Sequence, residues 1–227
     1  MKIAAIIPMR HCSERVPSKN YRQFSGKPLF HHIVRSLLAC PEINEVVIDT
    51  DSQTIMLDAL RYFPMVTVLE RPEYLRNATT PMNDVLLHTT TQLAADYYLQ
   101  THSTNPLLSS ATISCAIQRF LGNIDQYDSL FSVKRLHTRL WDSVGRPINH
   151  NPDKLIRTQD LQPVYEENSC IYIFSRQTLE KYGNRIGEQP LLFEMAQVES
   201  WDIDEESDFE IAELLFANRE TLEVNKS

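Results

Sequence analysis

Glycine-rich phosphate turns are missing from this sequence. Only 5 of its 227 residues are glycine, and neither Gly-x-x-x-x-Gly-Lys nor Gly-x-Gly-x-x-Gly occurs, which removes the P-loop and the dinucleotide fingerprint. Cysteine is just as sparse: Cys12, Cys40, Cys115 and Cys170 lie far apart with no Cys-x-x-Cys pair. Reduced thiols are therefore expected, not a structural zinc site or a disulfide framework. Positive charge is short as well, with 22 Lys and Arg against 30 Asp and Glu for a formal charge of -8. A surface that coats nucleic acid needs a clustered basic face, so no nucleic-acid partner is expected and any basic site must be local. No apolar run reaches membrane-spanning length, and the opening run breaks at Pro8, too soon for a secretory signal. The expectation is a cytoplasmic protein with no membrane partner.

What is present is alternation. The 42% hydrophobic content suffices for one core, so residues 1–227 read as a single domain. Ile3 to Ile7 reads as a buried strand. Leu29, Ile33, Val34, Leu37 and Leu38 recur at helical spacing as far as Cys40-Pro41, with Pro28 at the first turn. Glu45 to Asp49 is a second strand, Ser52 caps a helix to about Tyr62, and Met65 to Leu69 is a third strand. Asn83 or Asp84 caps a helix to about Ala95, Tyr97 to Thr101 is a strand, Ser110 to Leu121 a helix and Ser129 to Lys134 a strand. From about 135 to 162 the apolar periodicity fades among scattered cations and Gly145-Arg146-Pro147 and Asn151-Pro152 turns, the signature of an inserted arm. Cys170 to Phe174 restores a strand, a short helix runs to Tyr182, Leu191 to Glu194 is a short strand, and a last helix covers Glu205 to Arg219. Such alternation implies an α/β fold whose mostly parallel sheet carries helices on both faces.

Chemistry-bearing residues gather at the carboxyl ends of the strands, where open α/β sheets bind ligands. Arg10 to Asn20 follows the first strand and holds Arg10, Arg15, Lys19, Ser13, Ser18 and Asn20, cations and donors able to neutralise phosphate oxygens without a glycine cradle. Asp202-x-Asp204 places two carboxylates on one side of an extended segment, where they can hold magnesium against triphosphate oxygens; Asp204 is equally well placed to cap the last helix. Arg71-Pro72 and His102 to Pro106 end two further strands and approach the same edge. His102 reads equally as a hydrogen-bonded rim histidine. His31-His32 reads as surface and packing, and Lys134, Arg135, His137 and Arg139 as a strand end or a site for an acidic substrate.

Taken in order, these stretches resemble the acylneuraminate cytidylyltransferases, or CMP-sialic acid synthetases, with the CMP-KDO synthetases as cousins. The family opens with a strand and Arg-x-x-Ser-x-x-(Leu/Ile)-Pro-x-Lys-Asn; here Arg10, Ser13, Val16, Pro17, Lys19 and Asn20 stand at those spacings. Thr50-Asp51-Ser52, Arg71-Pro72, Thr104-Asn105-Pro106-Leu107, Asn168 to Ile173 and Asp202-Ile203-Asp204 continue the match over nearly the whole chain. The resemblance implies a Rossmann-like, three-layer nucleotidyltransferase fold and a homodimer in which the arm of one subunit closes the other's site. It implies transfer of CMP from CTP to the anomeric hydroxyl of a sialic-acid-like 2-keto-3-deoxy sugar acid, with pyrophosphate leaving. The nucleotide set it implies is Arg10, Ser13, Arg15, Lys19, Asn20, Arg71 and Asn83; the sugar set is His102, Thr104, Arg139 and Asn168. Asp202 and Asp204 would bind Mg2+, Arg10 and Lys19 would stabilise phosphate charge, and Asp204 would take the hydroxyl proton, directly or through metal-bound water. The chain departs from the family at Cys12, Glu14, His102, Leu108, Glu166-Glu167 and Thr79 to Asn83. These departures leave two alternatives open: another acceptor such as a KDO-type acid or a phosphonate, and a weakly catalytic nucleotide-binding subunit.

Overall fold

The computed structural model describes residues 1–219; the last eight residues of the expected 1–227 domain lie outside the described part. In chain order the elements are β1 (Ile3–Met9), the two-residue strands β2 (Gln23–Phe24) and β3 (Lys27–Pro28), α1 (Leu29–Leu38), β4 (Glu45–Thr50), α2 (Gln53–Tyr62) and β5 (Thr67–Glu70). Then come α3 (Met82–Thr91), β6 (Tyr97–Gln100), α4 (Ser110–Leu121), β7 (Ser129–Leu136), β8 (Val164–Phe174), α5 (Arg176–Tyr182), β9 (Pro190–Glu194) and α6 (Glu206–Ala217). Seven strands form one sheet in the order β5-β4-β1-β6-β8-β7-β9. Every neighbouring pair is parallel except the two that involve β8. The chain leaves along β7, makes the arm and returns along β8, and an out-and-back path of this kind forces an antiparallel pair.

Every residue of β1 is buried, as a central strand covered on both faces requires. Its side chains alternate between two cores. Ile3, Ala5, Ile7 and Met9 pack with Ile33, Val34 and Leu37 of α1 and Ile113 and Ile117 of α4, while Ala4 and Ile6 pack with Leu86 of α3 and Leu179 of α5. These are the three layers.

Several boundaries differ from those the sequence suggests. β1 passes through Pro8 to Met9; pairing with β6 stops at Ile6 opposite Gln100, so the missing proline N–H breaks no ladder on that side. β5 starts at Thr67 because Met65 is exposed. The N-cap of α3 is Pro81, whose carbonyl accepts from Asp84 and Val85, so neither Asn83 nor Asp84 is the cap; the helix ends at Thr91, not near Ala95. β8 begins at Val164, six residues before Cys170, because the ladder with β7 resumes beyond a bulge. At that bulge Ser169 adopts a φ of +56°. The α6 N-cap is Glu205, in a capping box with Asp208, and Asp204 is not the cap. Inside the arm a tight turn at Gly145 lets Trp141 bridge Pro147, the Asp142–Arg146 ion pair closes it at 2.7 Å, and Asn149 ties back to Thr138 and Leu140.

Candidate active site

Three segments meet beyond the carboxyl ends of β1 and β6: the loop 10–20, the loop 101–106 and the extended 201–205 before α6. A small apolar cluster joins the first to the last. Val16 and Ile203 are both fully buried in it, together with Phe24, Leu29 and Phe209. In the extended segment, burying Ile203 turns Asp202 and Asp204 together toward the opposite side. Direct bonds complete the joint. The Lys19 ammonium donates to the Ile203 carbonyl at 2.5 Å, Ile203 N donates to the Thr104 carbonyl at 3.0 Å, and Asn105 Nδ2 donates to the Trp201 carbonyl at 3.3 Å. Asn20 is the hinge of the first loop: its Nδ2 donates to the Arg10 carbonyl at 2.7 Å and its Oδ1 accepts from Ser103 Oγ at 2.6 Å. At the loop's start, His11 N donates to Asp51 at 2.7 Å and the His11 ring meets the Ser52 hydroxyl at the same distance. Ser18 takes a left-handed φ of +58°, the turn that starts the short helix at Lys19 and aims its side chain inward.

The electrostatics are those of two carboxylates between cations. Arg15 Nη2 lies 2.6 Å and Lys19 Nζ 4.0 Å from Asp204 Oδ1. Burial pushes the Asp202 carboxyl above its ordinary range, with Asp204 adding to the rise and the Thr104 hydroxyl and Lys19 opposing it. Burial likewise lowers Lys19, against the pull of Asp202 and Asp204. Asp202 Oδ1 is buried and unpartnered, and an anionic oxygen left so is costly unless a cation meets it. Two carboxylates suit magnesium, which takes one or two protein carboxylates and fills its remaining positions with water and substrate phosphate. Among the described residues no group of three or more His, Cys, Asp or Glu gathers as a self-sufficient metal cage.

The family model for Cytidylyltransferase matches residues 4–226. The chain belongs to the cytidylyltransferase family. It is thereby a nucleotidyltransferase. The chain is 30% identical over 237 residues to the CMP-N,N'-diacetyllegionaminic acid synthase of Legionella pneumophila, covering 98% of this chain and 100% of that protein. It is 28% identical over 218 residues to the N-acylneuraminate cytidylyltransferase A of Danio rerio, covering 93% of this chain and 50% of the fish protein, so it spans half that relative's length. Among solved structures it is similar to CMP:2-keto-3-deoxy-manno-octonic acid synthetase complexed with CTP, with a TM-score of 0.72 at 15% identity over 96% of this chain and 100% of that one.

Of the residues singled out in the sequence, Arg15, Lys19, Asn20, Thr104, Asp202 and Asp204 come together as described. Arg10 lies at the loop's exposed start, its Nη1 donating to the Ala78 carbonyl at 2.8 Å, and Ser13 is half-buried. His102 flanks the set: burial, helped by Arg185 and Lys19, lowers its pKa to about 4. Asn168 accepts from Ser132 Oγ at 2.5 Å and from Cys170 N at 3.2 Å, and leaves Nδ2 buried and unpartnered. Three residues are occupied elsewhere. Arg71 is buried, its Nε 2.6 Å from Asp49 Oδ1, while Thr89 donates to Oδ2 of the same carboxylate at 2.7 Å. Asn83 sits in the first turn of α3, 3.5 Å from Asn184. Arg139 spends a donor on the Ile156 carbonyl inside the arm. His31 and His32 are both buried, with no surface role; His31 pairs with Asp58, and His32 meets the Phe24 carbonyl at 3.0 Å. Sequence reasoning passed over Gln100 and Arg185. A glutamine closing the apolar run Tyr97-Tyr98-Leu99 was the available signal for Gln100; Arg185 carries none, since only folding brings its loop to β6.

Proposed function

We propose that this cytidylyltransferase transfers CMP from CTP to the anomeric hydroxyl of a sialic-acid-like 2-keto-3-deoxy sugar acid. The observation that carries the reading is the joint itself: a cationic loop whose Arg15 and Lys19 meet Asp204, with Lys19 also bonded to the Ile203 carbonyl between Asp202 and Asp204, in a chain similar to proteins named for sialic and legionaminic acids. The hydroxyl oxygen bonds to the α-phosphorus, the bond from that phosphorus to the bridging oxygen breaks, and pyrophosphate leaves with the electron pair. Arg10, Arg15 and Lys19 stabilise charge gathering on the phosphate oxygens, the largest contribution in transfers of this type. Asp204, half-exposed and within reach of Lys19, accepts the hydroxyl proton. Asp202 and Asp204 would hold Mg2+, to which the unpartnered Asp202 oxygen is suited, and the ion would there supply Lewis-acid neutralisation of phosphate charge. Asn168 and Thr104 face the acceptor.

The reading extends to assembly and place. The arm leaves Trp141, Val144, Ile148 and Leu155 exposed, apolar surface suited to a second copy of the chain, and the proposed assembly is a homodimer. No helix among the described residues is long and apolar enough to cross a membrane, in keeping with a place in the cytoplasm, where CTP is available. Pyrophosphate release measured over four nucleoside triphosphates and a panel of sialic, legionaminic, pseudaminic and KDO-type acids tests the reaction. The expected result is magnesium-dependent release with CTP and a nine-carbon acid; CTP binding without release from any acid refutes it.

A further inference from the structure

Arg185 is a cation without an anion. It lies half-buried in the loop between α5 and β9, and among the described residues it makes one hydrogen bond, from Nη1 to Gln100 Oε1 at 2.7 Å, and no ion pair. Its guanidinium carbon stands 3.6 Å from the centroid of the Tyr172 ring. Glu167 accepts from the Tyr172 hydroxyl and makes no ion pair with Arg185 among the described residues, and Glu166 is paired with Lys134 at 2.9 Å. A half-buried guanidinium stacked on an aromatic face keeps its remaining planar donors available to a carboxylate.

The surroundings hold this group still. Gly183 ends α5 in the left-handed conformation. The Asp128 carboxylate accepts from Glu188 N at 2.8 Å and Gln189 N at 3.2 Å, and a Cβ at Gly187 would stand 2.3 Å from Asp128 Oδ1, so the loop closes tightly on that side chain. Tyr172 is fixed by Glu167 and by Ser169 Oγ at 3.1 Å, which gives the left-handed φ of Ser169 a use. Because Gln100 Oε1 faces Arg185, its Nε2 must face His102 Nε2, 2.9 Å away. That contact needs a lone pair on His102 Nε2, so the ring is neutral with its proton on Nδ1. His102 therefore stands between two cations, Lys19 on the metal side and Arg185 on the other.

We propose that Arg185, stacked on Tyr172 and held by Gln100, is the acceptor-binding cation that receives the carboxylate of the sugar acid. This rests on the transferase reading above and adds to it the residue that makes the acceptor acidic. In a 2-keto-3-deoxy acid the carboxylate sits on the anomeric carbon that also bears the attacking hydroxyl, so gripping it orients the nucleophile. Gln100 and Tyr172 are positioning residues for this grip.

The test is steady-state pyrophosphate release on the full chain with CTP, magnesium and the best acid of the panel, beside the amide of that acid. In Arg185→Met the KM for the acid is expected to rise about 100-fold, the scale for truncating one partner of a buried charge pair. The KM for CTP should stay within about twofold, and the preference for acid over amide should vanish. If Arg185→Met unfolds, Arg185→Lys keeps the charge without the planar fork, and about a tenfold rise in KM for the acid is expected. An unchanged KM for the acid, a parallel rise for CTP, or a preserved acid-over-amide preference overturns the assignment while leaving the transferase standing. Wild-type protein that releases no pyrophosphate with any acid overturns both.

Discussion

Arg10 and His102 show what single side chains contribute. Arg10 is exposed, and its contacts are one side-chain bond to Ala78 and a backbone carbonyl held by Asn20, so nothing in the fold depends on its charge. Arg10→Ala should lower turnover by about 100-fold or more, as loss of a donor to developing charge does, with the melting temperature unchanged; near wild-type pyrophosphate release would remove Arg10 from the reaction. His102 makes a pH prediction with a definite sign. Its folded pKa of about 4 lies below the ordinary 6.5, so between those values the unfolded chain holds the extra proton. Its contribution to stability is complete above pH 6.5 and lost as pH falls toward 4. His32, also lowered by burial, acts in the same direction. Urea titrations from pH 7 to 4 should show this falling limb, and His102→Gln should flatten it in part; an identical limb in the variant refutes the burial.

At the scale of elements, the start of α6 separates structure from chemistry. Asp208 accepts from Asp204 N at 3.1 Å and Glu205 N at 2.8 Å, while the Asp204 carboxylate faces Arg15 and Lys19. Asp208→Ala should cost about 1 kcal/mol, the usual scale for a lost cap, with modest loss of activity. Asp204→Asn should do the reverse, abolishing activity or its magnesium dependence and sparing the melting temperature. The same melting curves run on both variants check the division, and a Tm loss confined to Asp204→Asn would restore Asp204 as the cap. The sequence allowed either role for Asp204; the choice fell to Asp208, three residues after Glu205, which completes the reciprocal cap without it.

Across the molecule, the parallel half of the sheet is locked by charge as well as by packing. Arg71, at the end of β5, is buried against Asp49 of β4, and Thr89 of α3 donates to the same carboxylate. Arg71→Met strands a buried carboxylate and should cost about 3–5 kcal/mol, read as an earlier urea midpoint. A normal midpoint with a raised KM for CTP would return Arg71 to the nucleotide. The proposed homodimer belongs to this scale too. Leu155 is 85% exposed on the arm, and Leu155→Glu is expected to convert a sedimenting dimer into a monomer; a wild-type monomer refutes the assembly.

The sequence by itself determined the order of strands and helices, the layers and the family. Apolar periodicity is local, and the motifs Arg10 to Asn20 and Asp202-Ile203-Asp204 keep their spacing however the chain is folded. The loss of apolar periodicity the sequence shows from about 135 to 162, where Gly, Pro and charge intervene, falls between the end of β7 at Leu136 and the start of β8 at Val164. The sequence could not decide which polar residues stay free. Arg71 carries the same charge as Lys19, and only tertiary contacts show that Arg71 is buried against Asp49 while Lys19 reaches Asp204; Arg139 is tied to the Ile156 carbonyl inside the arm by one donor. Arg185 is the converse case. It lies 85 residues from Gln100 in a loop with no motif, and it gained meaning only when folding stacked it on Tyr172 and left its charge unanswered.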